Sequence, residues 1–305
     1  MATRRPPEPQ KIILAVDGSE HALAATKLVH SLPLPPGSAI TVLAVLTGSH
    51  AERHATLLAL LERTAALLKT STATVNTGLL HGSPAQTLTH YADDHPPDLI
   101  VVGARGLRAT LGILLGGVAQ QIVEYARWPV LVVRAPCCEL RKILLVTDGS
   151  PSSQVALDYL ARFPFPAEAR LTLMHVLPPL QPLEIALQNW PTGAEVLPVV
   201  PRQQFDPESL RHLQEKEEEQ GQALLDQNAA QLSSAGLAPE TVLLRGDAAT
   251  QIIEYVKSNG IDLIVSGSRG LGAVSGWLLG SVSRKLVHYA PCSVLVTRGR
   301  GKATI

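Results

Sequence analysis

The strongest constraint on the fold of this 305-residue chain is that its sequence is written twice. The segment KIILAVDGS at Lys11 to Ser19 returns as KILLVTDGS at Lys142 to Ser150, 131 residues on. DLIVVGARGL from Asp98 returns as DLIVSGSRGL from Asp262, 164 residues on, and this register holds through Tyr125 and Tyr289, Val130 and Val294, and Arg134 and Arg298. One repeat already fills the ordinary size of a domain, so the chain reads as two homologous domains in tandem. The expected division is an N-terminal tail over 1–10, a first domain over 11–136 and a second over 142–300. The offset grows by 33 residues between the two motifs, which places an insertion of that size in the second copy, around 178–220.

Within each copy short Val/Ile/Leu runs alternate with amphipathic helical patterns. In the first they read KIILAVD, AITVLAVL, ATVNTGLL, DLIVVGA and PVLVVR, separated by stretches such as SEHALAATKLVHSL and HATLLALLERTAALLKT. Continuous apolar strands alternating with helices predict βαβ units and a parallel sheet covered on both faces. The fold class expected is α/β, with two tandem doubly wound five-stranded domains. Each has one crevice, outside the carboxyl ends of the strands where strand order reverses. The insertion opens with a proline-rich stretch that argues against regular structure. It closes on a helical pattern whose N-cap is Asp206 and whose first residue is Pro207.

Composition narrows the function classes. Hydrophobic residues make up 46% and aromatics only 4%, so the interior is built of aliphatic side chains. Lys+Arg and Asp+Glu balance at 26 each, which removes the field of a nucleic-acid or membrane-surface binder. Three cysteines, Cys137, Cys138 and Cys292, form no disulfide framework and fit a reducing compartment. MATRRPPEPQ carries no apolar signal core, and no run approaches a membrane span. The expectation is a soluble, cytoplasmic protein.

The chemistry sits in two glycine stretches, GARGLRATLGILLGG from Gly103 to Gly117 and GSRGLGAVSGWLLGS from Gly267 to Ser281. Each leaves the end of a buried strand and enters the start of a helix. Bare backbone there lets amide N–H groups approach a ligand, and the helix start adds further free N–H groups and a positive dipole end. This is a cradle for an anion, phosphate above all. The spacing, Gly267-x2-Gly270-x9-Gly280-Ser281, is neither the dinucleotide GxGxxG nor the Walker pattern.

The arrangement resembles the ATP-binding signature of the universal stress protein family, over essentially the whole chain outside the insertion. The resemblance implies strand order 3-2-1-4-5 in each domain, pairing of two copies through the fifth strand, and ATP or another adenine nucleotide, with or without Mg, as ligand. It places the nucleotide of the second copy on Gly267, Arg269, Gly270, Gly280 and Ser281, with Asp148 facing ribose hydroxyls and Val176 offering main-chain groups to adenine. The same positions in the first copy are Gly103, Gly106, Gly116, Gly117, Asp17 and Val45. Gly117 stands where Ser281 stands, so the first copy lacks the hydroxyl and is expected to be the weaker site. Taken alone, DGS is more often a turn with its Asp capping the next helix, and Arg105 and Arg269 serve equally well as solvent-exposed loop residues.

His50 and His54 share a helical spacing without further ligands, and no metal site is expected. Cys137-Cys138 reads as a linker pair and QEKEEEQ as an exposed charged face. No Ser/His/Asp or paired-carboxylate set has catalytic spacing, so the expectation is a nucleotide-binding stress-response protein, not an enzyme, that acts on an unidentified protein partner. An interaction protein that has lost nucleotide, and an ATP-using enzyme of a related fold, remain as alternatives. PVLVVR at Pro129 to Arg134 and SVLVTR at Ser293 to Arg298 are expected to lie side by side, making an intrachain pseudo-dimer that further dimerisation would extend.

Overall fold

The computed structural model describes residues 8–48, 51–69, 72–107, 114–137, 139–180, 207–270 and 279–299, with side chains of the helix that starts at Pro207 described from Arg211. The first copy runs β1 (Lys11–Ala15), α1 (Glu20–Ser31), β2 (Ala39–Leu46), α2 (Ala51–Leu68), β3 (Thr74–His81), α3 (Pro84–Asp94), β4 (Leu99–Gly103), α4 (Gly117–Tyr125) and β5 (Val130–Val133). The second runs β6 (Lys142–Thr147), α5 (Pro151–Arg162), β7 (Arg170–Leu177), α6 (Pro207–Ser234), β8 (Glu240–Arg245), α7 (Ala248–Asn259), β9 (Leu263–Gly267), α8 (Ser281–Tyr289) and β10 (Ser293–Thr297). Helix starts follow the local chemistry. Ser19, Ser150 and Asp247 cap α1, α5 and α7 by accepting the amides of Ala22, Ser153 and Thr250, and Pro84 and Pro151 occupy first-turn positions.

The ten strands form one sheet in the order β3-β2-β1-β4-β5-β10-β9-β6-β7-β8. Pairing is parallel inside each copy, and β5 meets β10 antiparallel. Each copy therefore shows the order 3-2-1-4-5, with its switch point between β1 and β4 or between β6 and β9. Alternate residues send side chains to opposite faces. Ile12 and Leu14 join the core on one face and Ile13 joins the other, as Ile143 and Leu145 do against Leu144 in β6. Both face cores cross the junction between copies, one through Leu131 and Leu295, the other through Val130, Val132, Val294 and Val296.

The lengthened helix of the second copy packs against β7 and β8. The buried Asn228 donates to Thr147 Oγ1 at 3.0 Å, which ties α6 to the end of β6. Glu217 and Glu218 pair with Arg245 of β8, at 2.6 and 3.5 Å, so two glutamates of the charge run hold the helix to the sheet edge and are not merely a solvated face. Residues 181–206, with the expected N-cap Asp206, lie outside the described residues. At the junction of the copies Tyr159 of α5 donates to the carbonyl of Asp98 at 3.1 Å. Beside that bond lies a cavity of about 630 Å³, with Lys11, Asp98, Trp128, Arg162 and Arg298 among its lining residues.

Candidate functional site

Each crevice starts from the DGS turn. Gly18 and Gly149, at φ +86° and +76°, turn the chain out of the first strand of their copy in a conformation that a side chain would strain. The turn places Asp17 so that Oδ1 accepts the Ser19 amide and Oδ2 the Leu107 amide, each at 3.0 Å. Ser19 Oγ, besides capping α1, donates to the carbonyl of Arg105 at 3.1 Å. In the second copy Asp148 Oδ1 accepts the Ser150 amide at 3.0 Å, and Ser150 Oγ donates to the carbonyl of Arg269 at 3.3 Å. The aspartate and serine thus tie the glycine loop to the first strand, a long-range role that the local sequence does not signal.

The glycines divide by what crowds them. A Cβ on Gly106 or Gly270 would lie 2.6 Å from Oδ2 of Asp17 or Asp148. On Gly103 it would lie 2.8 Å from the Ala22 amide nitrogen, and on Gly267 it would lie 2.5 Å from the Ser152 carbonyl. Gly103 and Gly267 are therefore bare because a helix backbone packs on them. Gly116 and Gly280 close the loop on itself, their amides donating at 2.7 Å to the carbonyls of Ala104 and Ser268. Those two N–H groups are used internally. The donors left over are the first-turn amides of Gly117, Val118 and Ala119 in α4 and of Ser281, Val282 and Ser283 in α8, for which no acceptor occurs among the described residues.

The copies differ around these shared parts. Ser281 is exposed and brings a hydroxyl to the rim of its cavity, whereas Gly117 presents only backbone. Ser283 Oγ donates to the Gly267 carbonyl at 2.7 Å and pins the start of α8 to β9, a bond that Ala119 cannot make. Arg105 is half-buried with Nε 2.9 Å from His21 Nε2, while Arg269 is exposed and its guanidinium has no partner among the described residues. His21 also has Nδ1 2.9 Å from the Ala135 amide. A neutral imidazole has one acceptor nitrogen, so only one of these contacts is a hydrogen bond in either tautomer, and an imidazolium would face donors on both sides. Burial, with Arg105 and Arg134 nearby, holds its pKa below the ordinary value.

Each set comes together around one cavity. In the first copy Asp17, Val45, Gly103, Arg105, Gly106, Gly116 and Gly117 line a space of about 640 Å³. In the second, Asp148, Val176, Gly267, Arg269, Gly270, Gly280 and Ser281 line one of about 270 Å³. Thr47 and Arg53 in the first cavity, and Ala248 in the second, are lining residues that no motif signals. The donors converging there, N–H groups with a cation beside them, are equipped to hold an anion. Away from the crevices, burial pushes the Cys292 thiol up to about 12, which makes it an inert core group. Among the described residues no helix is long and apolar enough to cross a membrane. His50 lies outside them.

Comparison with known proteins gives the same duplication. The model of the universal stress protein family matches residues 8–134 and again 139–298. A universal stress protein of Mycolicibacterium smegmatis is 30% identical over 233 residues, covering 74% of this chain and 70% of the relative. The universal stress protein YxiE of Bacillus subtilis is 29% identical over 157 residues, 52% of this chain and 98% of its own length. Among solved structures, a universal stress protein from Archaeoglobus fulgidus superposes with a TM-score of 0.63 at 18% identity, covering 96% of this chain and 97% of its own. One described as a putative universal stress protein from Pseudomonas aeruginosa superposes at 0.62 and 16% identity, covering 96% and 94%. These structural likenesses establish the fold, and the family model, matched on both copies, establishes the kinship: the chain belongs to the universal stress protein family.

Proposed function

We propose that the chain is a regulatory adenine-nucleotide-binding protein whose two crevices hold ATP or a close relative by its phosphates. The observation that carries this reading is the convergence, twice in one chain, of a glycine loop, unpaired first-turn amides and a first-strand aspartate on a single cavity. The anion is held by the amides of residues 281–283 or 117–119, with Arg269 free to swing onto it in the second copy. Asp17 and Asp148 keep acceptor capacity beyond their loop bonds, since a carboxylate offers about four lone-pair sites, and this capacity suits ribose hydroxyls. Val45 and Val176 line the end of the cavity where a base would lie. Asp17 and Asp148 are the only carboxylates, with no histidine, among the described residues lining their cavities, and both are assigned to the ribose, so we assign binding and nucleotide-dependent interaction with other proteins, not turnover.

A second reading concerns the first copy alone. Arg105 is drawn onto His21 and Gly117 lacks a hydroxyl, which favours a crevice that takes nucleotide weakly and acts as an interaction module. The test is release and calorimetry. The purified chain is denatured, the freed small molecules are read by mass spectrometry, and ATP is titrated into stripped protein. Adenine nucleotide released, or ATP bound, supports the reading. No adenine nucleotide released and no ATP bound would overturn it.

A further inference from the structure

Arg134 and Arg298 sit at equivalent places, one residue beyond β5 and β10, and each sends its side chain into the other copy. Arg134 Nη2 donates to the carbonyls of Val287 at 2.7 Å and His288 at 3.0 Å, in the last turn of α8. Its Nη1 donates to the carbonyl of Leu114, in the glycine loop of its own copy. Arg298 Nη2 donates to the carbonyls of Val123 and Glu124, in the last turn of α4. At the 164-residue offset Val123 and Glu124 correspond to Val287 and His288, so the exchange is reciprocal. A cation at a helix C-terminus satisfies carbonyls that the helix leaves unpaired and opposes the negative end of its dipole.

The helices so capped are the two that begin at the cradles. α4 and α8 are 9 residues each, starting next to Gly116 and Gly280 and ending on the other copy's arginine. At 1.5 Å per residue the whole element is about 13 Å long, too short to bend, so fixing its last turn fixes its first. Each crossing arginine also feels the loop arginine of its own copy: Arg105 disfavours the charge on Arg134, and Arg269 that on Arg298, on top of burial.

We propose that Arg134 and Arg298 are positioning residues for the anion cradles of the opposite copies, Arg298 setting the first turn of α4 and Arg134 that of α8. Neither crevice is complete without the copy docked beside it. This rests on reading the cradles as nucleotide sites, yet its geometric content stands apart from that reading. It gives the tandem arrangement a function beyond covering sheet edges, because loosening the junction loosens both sites.

The clean arm is Arg298→Met in the full chain. With the second crevice blocked by Gly280→Val, ATP affinity at the first should fall roughly three- to thirtyfold. With the first blocked by Gly116→Val, affinity at the second should change by less than about twofold. Arg298→Lys, which keeps the charge but not the fork, should restore part of the loss, and it carries the same test where Arg298→Met fails to fold. Amide exchange reads the geometry without ligand. Arg298→Met should speed exchange at Gln120, whose N–H donates to the Gly116 carbonyl, and spare Arg284, whose N–H donates to the Gly280 carbonyl; Arg134→Met should do the reverse. Equal losses in both copies would reduce the arginines to interface contacts and overturn the proposal. Wild-type protein that binds no ATP would fail the functional reading alone, with the exchange pattern still deciding this one.

Discussion

Leu131 pairs with Leu295, its own counterpart in the other copy. On either side Val130 faces Val296 and Val132 faces Val294, so the pairing reproduces itself when the copies are exchanged, the local relation of a two-fold axis. All six side chains are at most 1% exposed. The strand that would otherwise be an open edge in each copy is thereby buried on both sides.

A self-complementary register predicts that the second copy, expressed alone as residues 139–299, pairs with itself through β10. Sedimentation should show a dimer that Leu295→Asp dissociates, because the charge would be buried opposite its own copy. A fragment that stays folded and monomeric at high concentration would refute the prediction. In the intact chain Leu131→Ala should cost about 2–5 kcal/mol of unfolding free energy, the usual range for a fully buried leucine.

Gly280→Val tests the cradle itself. A Cβ there would lie 3.2 Å from Arg269 Cα and 3.5 Å from the Gly270 amide, so the branched side chain forces the loop away from the helix start. The residue lies at the helix boundary and its φ of −71° suits valine, so the fold should survive. ATP affinity at the second crevice should fall at least about tenfold, since the N–H groups no longer converge. Unchanged affinity in a folded variant would remove the loop from the site.

The two crevices should bind unequally. Ser281 adds one hydroxyl, and a hydrogen bond to a charged partner is worth about 1.5–3 kcal/mol, or one to two decades of affinity. Arg269 is exposed beside it while Arg105 is held at His21, which adds to the difference. The larger volume of the first crevice works the other way by admitting more ligand surface. A directional contact to phosphate outweighs spare volume, so the second site should be tighter. A Cβ on Gly117 would meet nothing within 4 Å, hence Gly117→Ser should strengthen the first site and Ser281→Gly should weaken the second. Two equal sites, unmoved by either change, would contradict this.

What was readable beforehand follows from how local each cause is. The strands, the crevices and the position of the insertion come from periodicity and from comparing two copies of one text, and both are properties of neighbouring residues. The roles of Asp17 and Gly103 are not local. Asp17 holds the Leu107 amide, and Gly103 is bare because α1 packs on it, contacts between segments more than eighty residues apart that leave no spacing to read. The arginine pair was visible as a repeat. Its destination depends on the β5–β10 register, which puts the end of each strand against the other copy's helix.

The last prediction is a pH dependence centred on His21, which is 6% exposed. Burial first, then Arg105, lower its pKa; Glu20 opposes them, Arg134 lowers it by less than Glu20 raises it, and a backbone hydrogen bond to Val133 raises it least, so the folded value sits below the ordinary 6.5. The unfolded chain therefore binds more protons than the folded one between those values. The stability that neutral His21 supports is fully present above 6.5 and is lost as pH falls through the folded value. Protonation would remove the one acceptor nitrogen, leaving both Arg105 and Ala135 facing an N–H, and so load the linker that joins the copies. Between about pH 7.5 and pH 5 the wild type should lose more thermal stability than His21→Ser, which installs the residue found at the equivalent Ser152. His288 is shifted the same way by burial, so some pH dependence will remain in the variant. Identical slopes in the two proteins would show that His21 does not change its proton on unfolding, and the coupling of linker to loop through this ring would be wrong.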